Sequence, residues 1–279
     1  MKDINLVKQA FSLENRVAII TGGAGFLGEK HAEAIAEFGG TPILLDVNEK
    51  VGIEKAKRIS EKFQVGCEYI YCDITQESEI LEVKNNLLNN YKSVDILINN
   101  AALDPKVKKS DNKKLSRLEY FSIEQWNVEI SVGLTSAMLC SKIFGYEMAK
   151  IKKGVILNIS SDLGIIAPDQ RLYKEVKIPE GEQAVKPVTY SVIKHGLIGL
   201  TKYLATYWAE KGVRCNALCP GAIYDNQPDD FVHNISNLIP MGRMAYPDEY
   251  KAAIIFLVSE ASSYMNGGIL SIDGGRSTW

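Results

Sequence analysis

Short apolar, β-branched runs alternate along the chain with amphipathic segments of helical length. Strands buried on both faces read as near-continuous apolar runs, whereas the helices between them carry a 3.6-residue period. On that pattern strands are predicted near Arg16–Thr21, Pro42–Asp46, Glu68–Cys72, Asp95–Asn99, Val155–Ser160, Arg214–Leu218 and Leu270–Asp273. Helices are predicted over Gly25–Phe38, Lys50–Lys62, Glu77–Asn89, Ile123–Lys150, Thr189–Glu210 and Pro247–Ser259. Seven strands with helices between them imply an α/β fold, one doubly wound, mostly parallel sheet with helices on both faces. No linker, repeat or low-complexity tract divides the chain, so a single domain over residues 1–279 is expected. Two stretches escape the alternation, the Lys-rich 103–120 and the segment 167–187. Loops of that length inside a compact domain are more often functional rims than filler.

Composition changes this picture little. The chain is 46% apolar and 24% charged, as ordinary globular proteins are. A net charge of −2 supplies no global basic field, so neither nucleic acid nor a membrane is expected as a partner. The longest strictly apolar run, at 252–258, is far short of a membrane span. The polar start "MKDINLVKQAFSLENR" has no signal-peptide core, and a cytoplasmic location is expected. The cysteines number five, an odd count at spacings that fit no disulfide framework, in keeping with a reducing compartment. With only His31, His195 and His233 as histidines, no metal site is expected.

The first informative motif is "TGGAGFLG" at 21–28, between the first strand and the first helix. Gly22, Gly25 and Gly28 frame Phe26 and Leu27, and Gly23, Gly25 and Gly28 also fit the G-x-G-x-x-G fingerprint. Glycine permits the tight turn and lets backbone N–H groups approach a pyrophosphate, to which the helix adds its positive end. Asp46 closes the second strand 18 residues after Gly28, near the interval for a carboxylate that binds the adenosine ribose hydroxyls. That carboxylate repels the extra phosphate of NADP, so NAD is the expected cofactor. Asp73 and Ile74, in "YCDIT", follow the third strand, where Asp73 either reaches the adenine or caps the next helix.

The second motif is "YSVIK". Tyr190 and Lys194 are four apart, hence one turn from each other on one helix face. A tyrosine with a pKa of roughly 10 is too weak a base at neutral pH, but a neighbouring ammonium and a cationic nicotinamide both favour its phenolate. Upstream, "GVILNISSDLG" is a buried strand that delivers Ser160 and Ser161 to the carboxyl edge of the sheet, where substrates sit in such folds.

With these pieces the chain resembles the short-chain dehydrogenase/reductase family over essentially its whole length. The matching motifs are "TGGAGFLG", "LLD", "CDIT", "NNAA" (99–102), "NISS" (158–161), "YSVIK" (190–194), "NALCPGAI" (216–223) and "DGG" (273–275). The resemblance implies a Rossmann domain that moves a hydride between NAD(P) and an alcohol or carbonyl. It implies that Ser161 polarises the substrate oxygen, Tyr190 transfers the proton, and Lys194 binds the nicotinamide ribose while lowering the tyrosine pKa. Asn99 and Ala101 are expected to line the cofactor channel, and backbone at Pro220, Gly221 and Ile223 to hold the nicotinamide. Asp162 and Arg171 are candidates to contact the substrate. The glycine spacing resembles the extended, sugar-nucleotide branch, yet "NNAA" and "DGG" close to the last residue resemble the single-domain branch, which is the reading adopted.

The chain also departs from the family pattern. Gly133 stands where an asparagine supports a proton-relay water, and Asp225 replaces a threonine that contacts the nicotinamide amide. Ser161 and Tyr190 are farther apart than in typical members, so 167–187 is expected to form an inserted lid or rim. The 103–119 stretch holds Lys106, Lys108, Lys109, Lys113, Lys114 and Arg117 against three acidic residues. It either attracts an anionic substrate, such as a sugar phosphate or acidic sugar, or is a solvated surface.

A finer resemblance, in "IPMGRMA" and "DGGRSTW", is to dehydrogenases of flagellin modification and bacterial surface-sugar synthesis. An alcohol/carbonyl oxidoreductase for a polar carbohydrate is therefore expected. An NAD-recycling epimerase or dehydratase and a weakly catalytic NAD-binding regulator stand as alternatives. Leu134, Met138, Leu204 and Trp208 extend the apolar stripes of the two longest helices. By resemblance those helices pair across subunits, and a homotetramer or homodimer is expected.

Overall fold

The computed structural model describes residues 7–103, 113–174 and 178–279. After a short helix α1 (Val7–Ala10), strands and helices alternate: β1 (Val17–Thr21), α2 (Phe26–Glu37), β2 (Thr41–Asp46), α3 (Glu49–Phe63), β3 (Glu68–Tyr71), α4 (Glu77–Asn90) and β4 (Ile96–Asn99). The second half holds α5 (Ile123–Ile130), α6 (Ser136–Lys150), β5 (Gly154–Ile159), α7 (Val188–Tyr207), β6 (Val213–Pro220), α8 (Asp229–Ser236), α9 (Lys251–Val258) and β7 (Ile269–Ile272). The seven strands form one sheet in the order β3-β2-β1-β4-β5-β6-β7, and every pairing is parallel.

The apolar runs of the sequence are explained by burial on two sides. Successive residues of one strand enter opposite layers: Ile20 packs with Ile35, Ile59 and Ile254 from α2, α3 and α9. Ile19 packs with Ile80, Phe144 and Leu204 from α4, α6 and α7. Each such aliphatic side chain, taken fully out of water, contributes about 1.5–3 kcal/mol.

The long helix expected over Ile123–Lys150 is present but is not uniform. A π turn, Ser131–Thr135, joins α5 to α6. The joined helix is long and apolar enough to cross a membrane, yet half of its most apolar stretch is buried in the subunit. It is a core helix. The expected oligomer residues are corrected in part. Leu204 is buried in the subunit's own core, Leu134 packs beside Ile193 and Leu197, and Trp208 lies over Gly145. Of the four, Met138 is the one left exposed.

The core encloses an imidazole. His31, on the inner face of α2, is fully enclosed, and burial lowers its pKa to about 4, the nearby Asn100 amide offsetting part of that effect. Between pH 6.5 and about 4 the unfolded chain takes up a proton that the folded protein refuses, so stability falls as pH drops through that window. His31→Leu is expected to flatten the decline of Tm between about pH 7 and pH 4, a contribution of a few kcal/mol at the acid end. Thermal melts of both proteins across that range check it. Parallel declines would contradict it.

Candidate active site

All strands being parallel, the carboxyl ends of β1, β2, β4, β5 and β6 share one edge. The chain runs outward from β1 to β2 and β3, then returns to β4 on the other side of β1, which leaves a crevice at that edge.

The glycine loop fills one wall. Gly22 has φ +63°, and a Cβ there would come 2.9 Å from the Ala101 Cα. A Cβ on Gly28 would overlap the Gly22 carbonyl oxygen. Such a cradle admits backbone only, and it opens onto the first turn of α2, for which Gly25 is the N-cap. These features fit a dinucleotide pyrophosphate. Thr21 Oγ1 accepts the N–H groups of Asn100 (3.0 Å) and Ala101 (3.1 Å), and Asn100 Nδ2 donates to the Thr21 and Gly22 carbonyls. The β4 loop is thereby sewn to the glycine loop, with Ala101 against Gly22.

Asp46 is where expected, at the end of β2. Its Oδ2 accepts the Ala24 N–H (3.0 Å) and its Oδ1 the Asn48 N–H (2.9 Å), which aims the carboxylate at the loop. Phe26 is exposed beside it and Leu27 half-buried. Asp73 does not cap α4, whose N-cap is Gln76; its Oδ1 accepts both the N–H and the hydroxyl of Thr75 (3.0 and 2.7 Å), closing the turn before that helix, with Ile74 buried behind. Asn99 closes β4. Its side chain is buried, and Nδ2 donates to Asn158 Oδ1 (2.8 Å) and Ser141 Oγ (3.0 Å). Asn158 in turn donates to Thr201 Oγ1 (2.8 Å). Asn99 therefore ties the sheet to α6 and, through Asn158, to α7 from within the core.

β5 delivers the serine pair. Ser160 Oγ donates to the Lys194 carbonyl (2.7 Å), so it anchors α7. Ser161, extended at φ −165°, donates its hydroxyl proton to Asp162 Oδ1 (2.8 Å) and accepts the Leu163 N–H (3.2 Å). Asp162 Oδ2 is 2.8 Å from Arg276 Nη1 in a buried ion pair. Lys194 is 5% exposed, and its Nζ donates to the Ile159 carbonyl (2.9 Å) at the end of β5. That ammonium lies 5.7 Å from the Tyr190 ring centroid, and a second one, Lys186 Nζ, sits 3.8 Å over the same ring. Ser161, Tyr190 and Lys194 are thus gathered at one end of β5, with the Lys186 ammonium over the Tyr190 ring and the Asp162 carboxylate on the Ser161 hydroxyl.

The loop after β6 forms the far wall. The Gly221 N–H donates to the Ile272 carbonyl (2.9 Å), and a Cβ on Gly221 would come 2.7 Å from the Asp273 Cα. Pro220 closes β6, and Ile223 bridges to Ala245. The Asp225 N–H donates to Gln227 Oε1 (2.7 Å). At the relay position, Gly133 makes room for Ile193, which a Cβ there would meet at 2.9 Å. One turn earlier the buried Glu129 accepts the Thr189 hydroxyl and Gln125 Nε2.

The two irregular stretches meet beside this site. The Val185 N–H donates to Ser116 Oγ (3.0 Å), and Arg117 Nη1 donates to the Glu180 carbonyl (2.9 Å). Gln170 brackets the Lys186 backbone, while Leu172 and Tyr173 pack on α8. Arg171 is turned to solvent and clamps Asp169, whose carboxyl it holds down to about 2. Lys106, Lys108 and Lys109 lie outside the described residues, and Lys113 opens the 3-10 turn Lys113–Ser116. Sequence reasoning missed Lys186 and Arg276. Lys186 had a signal, standing four residues before Tyr190 as Lys194 stands four after.

The model of the short chain dehydrogenase family matches residues 16–173. The chain belongs to the short-chain dehydrogenase family. A second model, described as enoyl-(acyl carrier protein) reductase, matches residues 180–277. An NADP-dependent mannitol dehydrogenase of Alternaria alternata is 33% identical over 276 residues, covering 96% of this chain and 95% of that protein. An NAD-dependent glycerol dehydrogenase of Listeria innocua is 30% identical, covering 95% of each. The crystal structure of a gluconate 5-dehydrogenase from Burkholderia cenocepacia, in complex with NADP and tartrate, has the same fold. It superposes with a TM-score of 0.84 at 24% identity, covering 98% of this chain and all of that one. The protein is an oxidoreductase of this family, whose members use NAD or NADP.

Proposed function

We propose that this short-chain dehydrogenase prefers NAD and interconverts a secondary alcohol and a ketone on a polyhydroxylated, sugar-like substrate. The observation that carries the reading is the convergence of Ser161, Tyr190 and Lys194 at the edge that also holds the glycine cradle and Asp46. Relatives that act on mannitol and glycerol support the substrate class. The nicotinamide, when bound, supplies the hydride acceptor. The protein's own part is to place the alcohol and move its proton. Tyr190 takes the hydroxyl proton, and Lys194, fixed by the Ile159 carbonyl, favours the phenolate electrostatically. Ser161 steadies the substrate oxygen. The contacts that join 113–120 to 178–187 beside Tyr190, together with Lys186, support a reading in which this rim favours a substrate bearing negative charge. The exposed Met138, Val192, Tyr203 and Tyr207 on α6 and α7 support pairing of subunits through these helices.

The test is a screen of mannitol, threitol, gluconate and simple unsubstituted alcohols with NAD, following NADH absorbance. Turnover of the polyhydroxylated compounds is expected. Absence of net NADH with every one of them would overturn the reading.

Cofactor choice gives a second expected outcome. Asp46→Ser removes both the ribose acceptor and the repulsion of a 2′-phosphate. The NAD-to-NADP ratio of kcat/KM is expected to fall about 10- to 100-fold, the worth of a charge-assisted hydrogen bond. An unchanged ratio, or a wild type that prefers NADP, would remove Asp46 from this role.

A further inference from the structure

The carboxyl-terminal turn reaches back into the site. After β7, Gly274 and Gly275 at φ +66° and +89° turn the chain into the short 3-10 turn Arg276–Thr278. Asp273 holds that turn closed, its two oxygens accepting the Gly275 and Ser277 N–H groups (2.9 Å each). Trp279 pins the last residue, its Nε1 donating to the Leu238 carbonyl (3.1 Å). Arg276 emerges from this frame at 6% exposure and meets Asp162, itself 2% exposed, 114 residues earlier in the chain. A guanidinium is placed at this depth only at a cost in desolvation, and here it touches the carboxylate that receives the Ser161 proton.

We propose that Arg276 is a positioning residue for Ser161, acting through Asp162; the proposal rests on the reading that Ser161 is catalytic. A serine hydroxyl has one proton and two lone pairs. Here the proton goes to Asp162 Oδ1, and the Leu163 N–H is shared between Ser161 Oγ (3.2 Å) and Asp162 Oδ1 (2.8 Å), so hydroxyl and carboxylate are fixed together in a single orientation. Arg276 draws charge toward Oδ2 and leaves Oδ1 a moderated acceptor. As the reacting oxygen gains alkoxide character it becomes the stronger acceptor, and the Ser161 O–H swings from Asp162 to it without net proton transfer. Without Arg276 the buried carboxylate is uncompensated. It then turns toward other donors and releases Ser161 from its single orientation, which withdraws a positioned donor from the substrate.

The experiment compares Arg276→Met, Arg276→Lys, Asp162→Asn and the double variant Arg276→Met/Asp162→Asn. Mannitol and gluconate with NAD test the proposed substrate class, and 2,3-butanedione with NADH is a probe independent of it. Arg276→Met is expected to lower kcat about tenfold or more while the NAD dissociation constant stays within about twofold. Arg276→Lys, which restores the charge without the planar fork, is expected to recover to within about threefold of the wild type. The double variant is expected to be no slower than Asp162→Asn alone, because the two residues act in series. Losses that multiply in the double variant, or a lowered Tm with unchanged kcat, would overturn the proposal. A crystal structure of Arg276→Met gives a reading that needs no turnover. Asp162 turned away from Ser161 is expected, and an unaltered Ser161–Asp162 contact would overturn it. Activity on the diketone with none on the polyols would defeat the substrate class alone, leaving the Arg276 variants to be judged on the diketone.

Discussion

Tyr190→Phe is expected to lower kcat by about 10²- to 10⁴-fold, the usual span for loss of a positioned acid–base group. The change removes one oxygen and keeps the ring under the Lys186 and Lys194 ammonium groups, so the site retains its shape. Lys194 also keeps its bond to the Ile159 carbonyl, and the glycine cradle lies on other elements. NAD affinity, measured by calorimetry, is therefore expected to stay within about twofold of the wild type. Near-normal turnover by the variant would show that another group moves the proton.

Gly28→Ala is expected to damage cofactor binding before chemistry begins. Its new methyl group falls on the Gly22 carbonyl oxygen and 2.8 Å from the Gly23 Cα, both backbone atoms that no side-chain rotation can clear. The loop has to open, at the 1–3 kcal/mol or so typical of overpacking, which lowers NAD affinity about 10- to 100-fold. Gly66→Ala is the control, since its methyl group meets only Thr41 Cγ2 at 3.7 Å. Fluorescence titration with NADH separates the two. Equal affinities for both variants would contradict the cradle.

The sheet was legible because its strands are buried on both faces, which writes them as continuous apolar runs. All seven emerged within two residues of their expected ends. The glycine loop falls between β1 and α2, Asp46 at the end of β2, Ser161 just after β5, and Tyr190 and Lys194 one turn apart on α7, positions that local spacing could give. What escaped depends on distance in sequence. Arg276 reaches Asp162 across 114 residues, and no periodicity marks such a partner. The Asn99 side-chain network was not legible, because its motif marks only the strand end while its partners Ser141 and Asn158 lie on other elements. Leu204 was read as outward because α7 is apolar on more than one face, and packing against the sheet decided which faces were used. Helix α8 carries Phe231, Val232 and Ile235 within a single short segment, too few turns for a period to register.

The way the rim is fastened bears on how this enzyme can change over evolutionary time. Ser116 and Arg117 grip backbone atoms of the 167–187 segment, the Val185 N–H and the Glu180 carbonyl. Anchorage of that kind is indifferent to which side chains stand at 180 and 185. Side chains at 180 and 185, proline at 185 aside, can thus be exchanged without loosening this segment from its neighbour. The enclosure around Tyr190 is free to drift toward new substrates while the machinery beneath it stays constant, and a designer can graft substrate ranges along the same route.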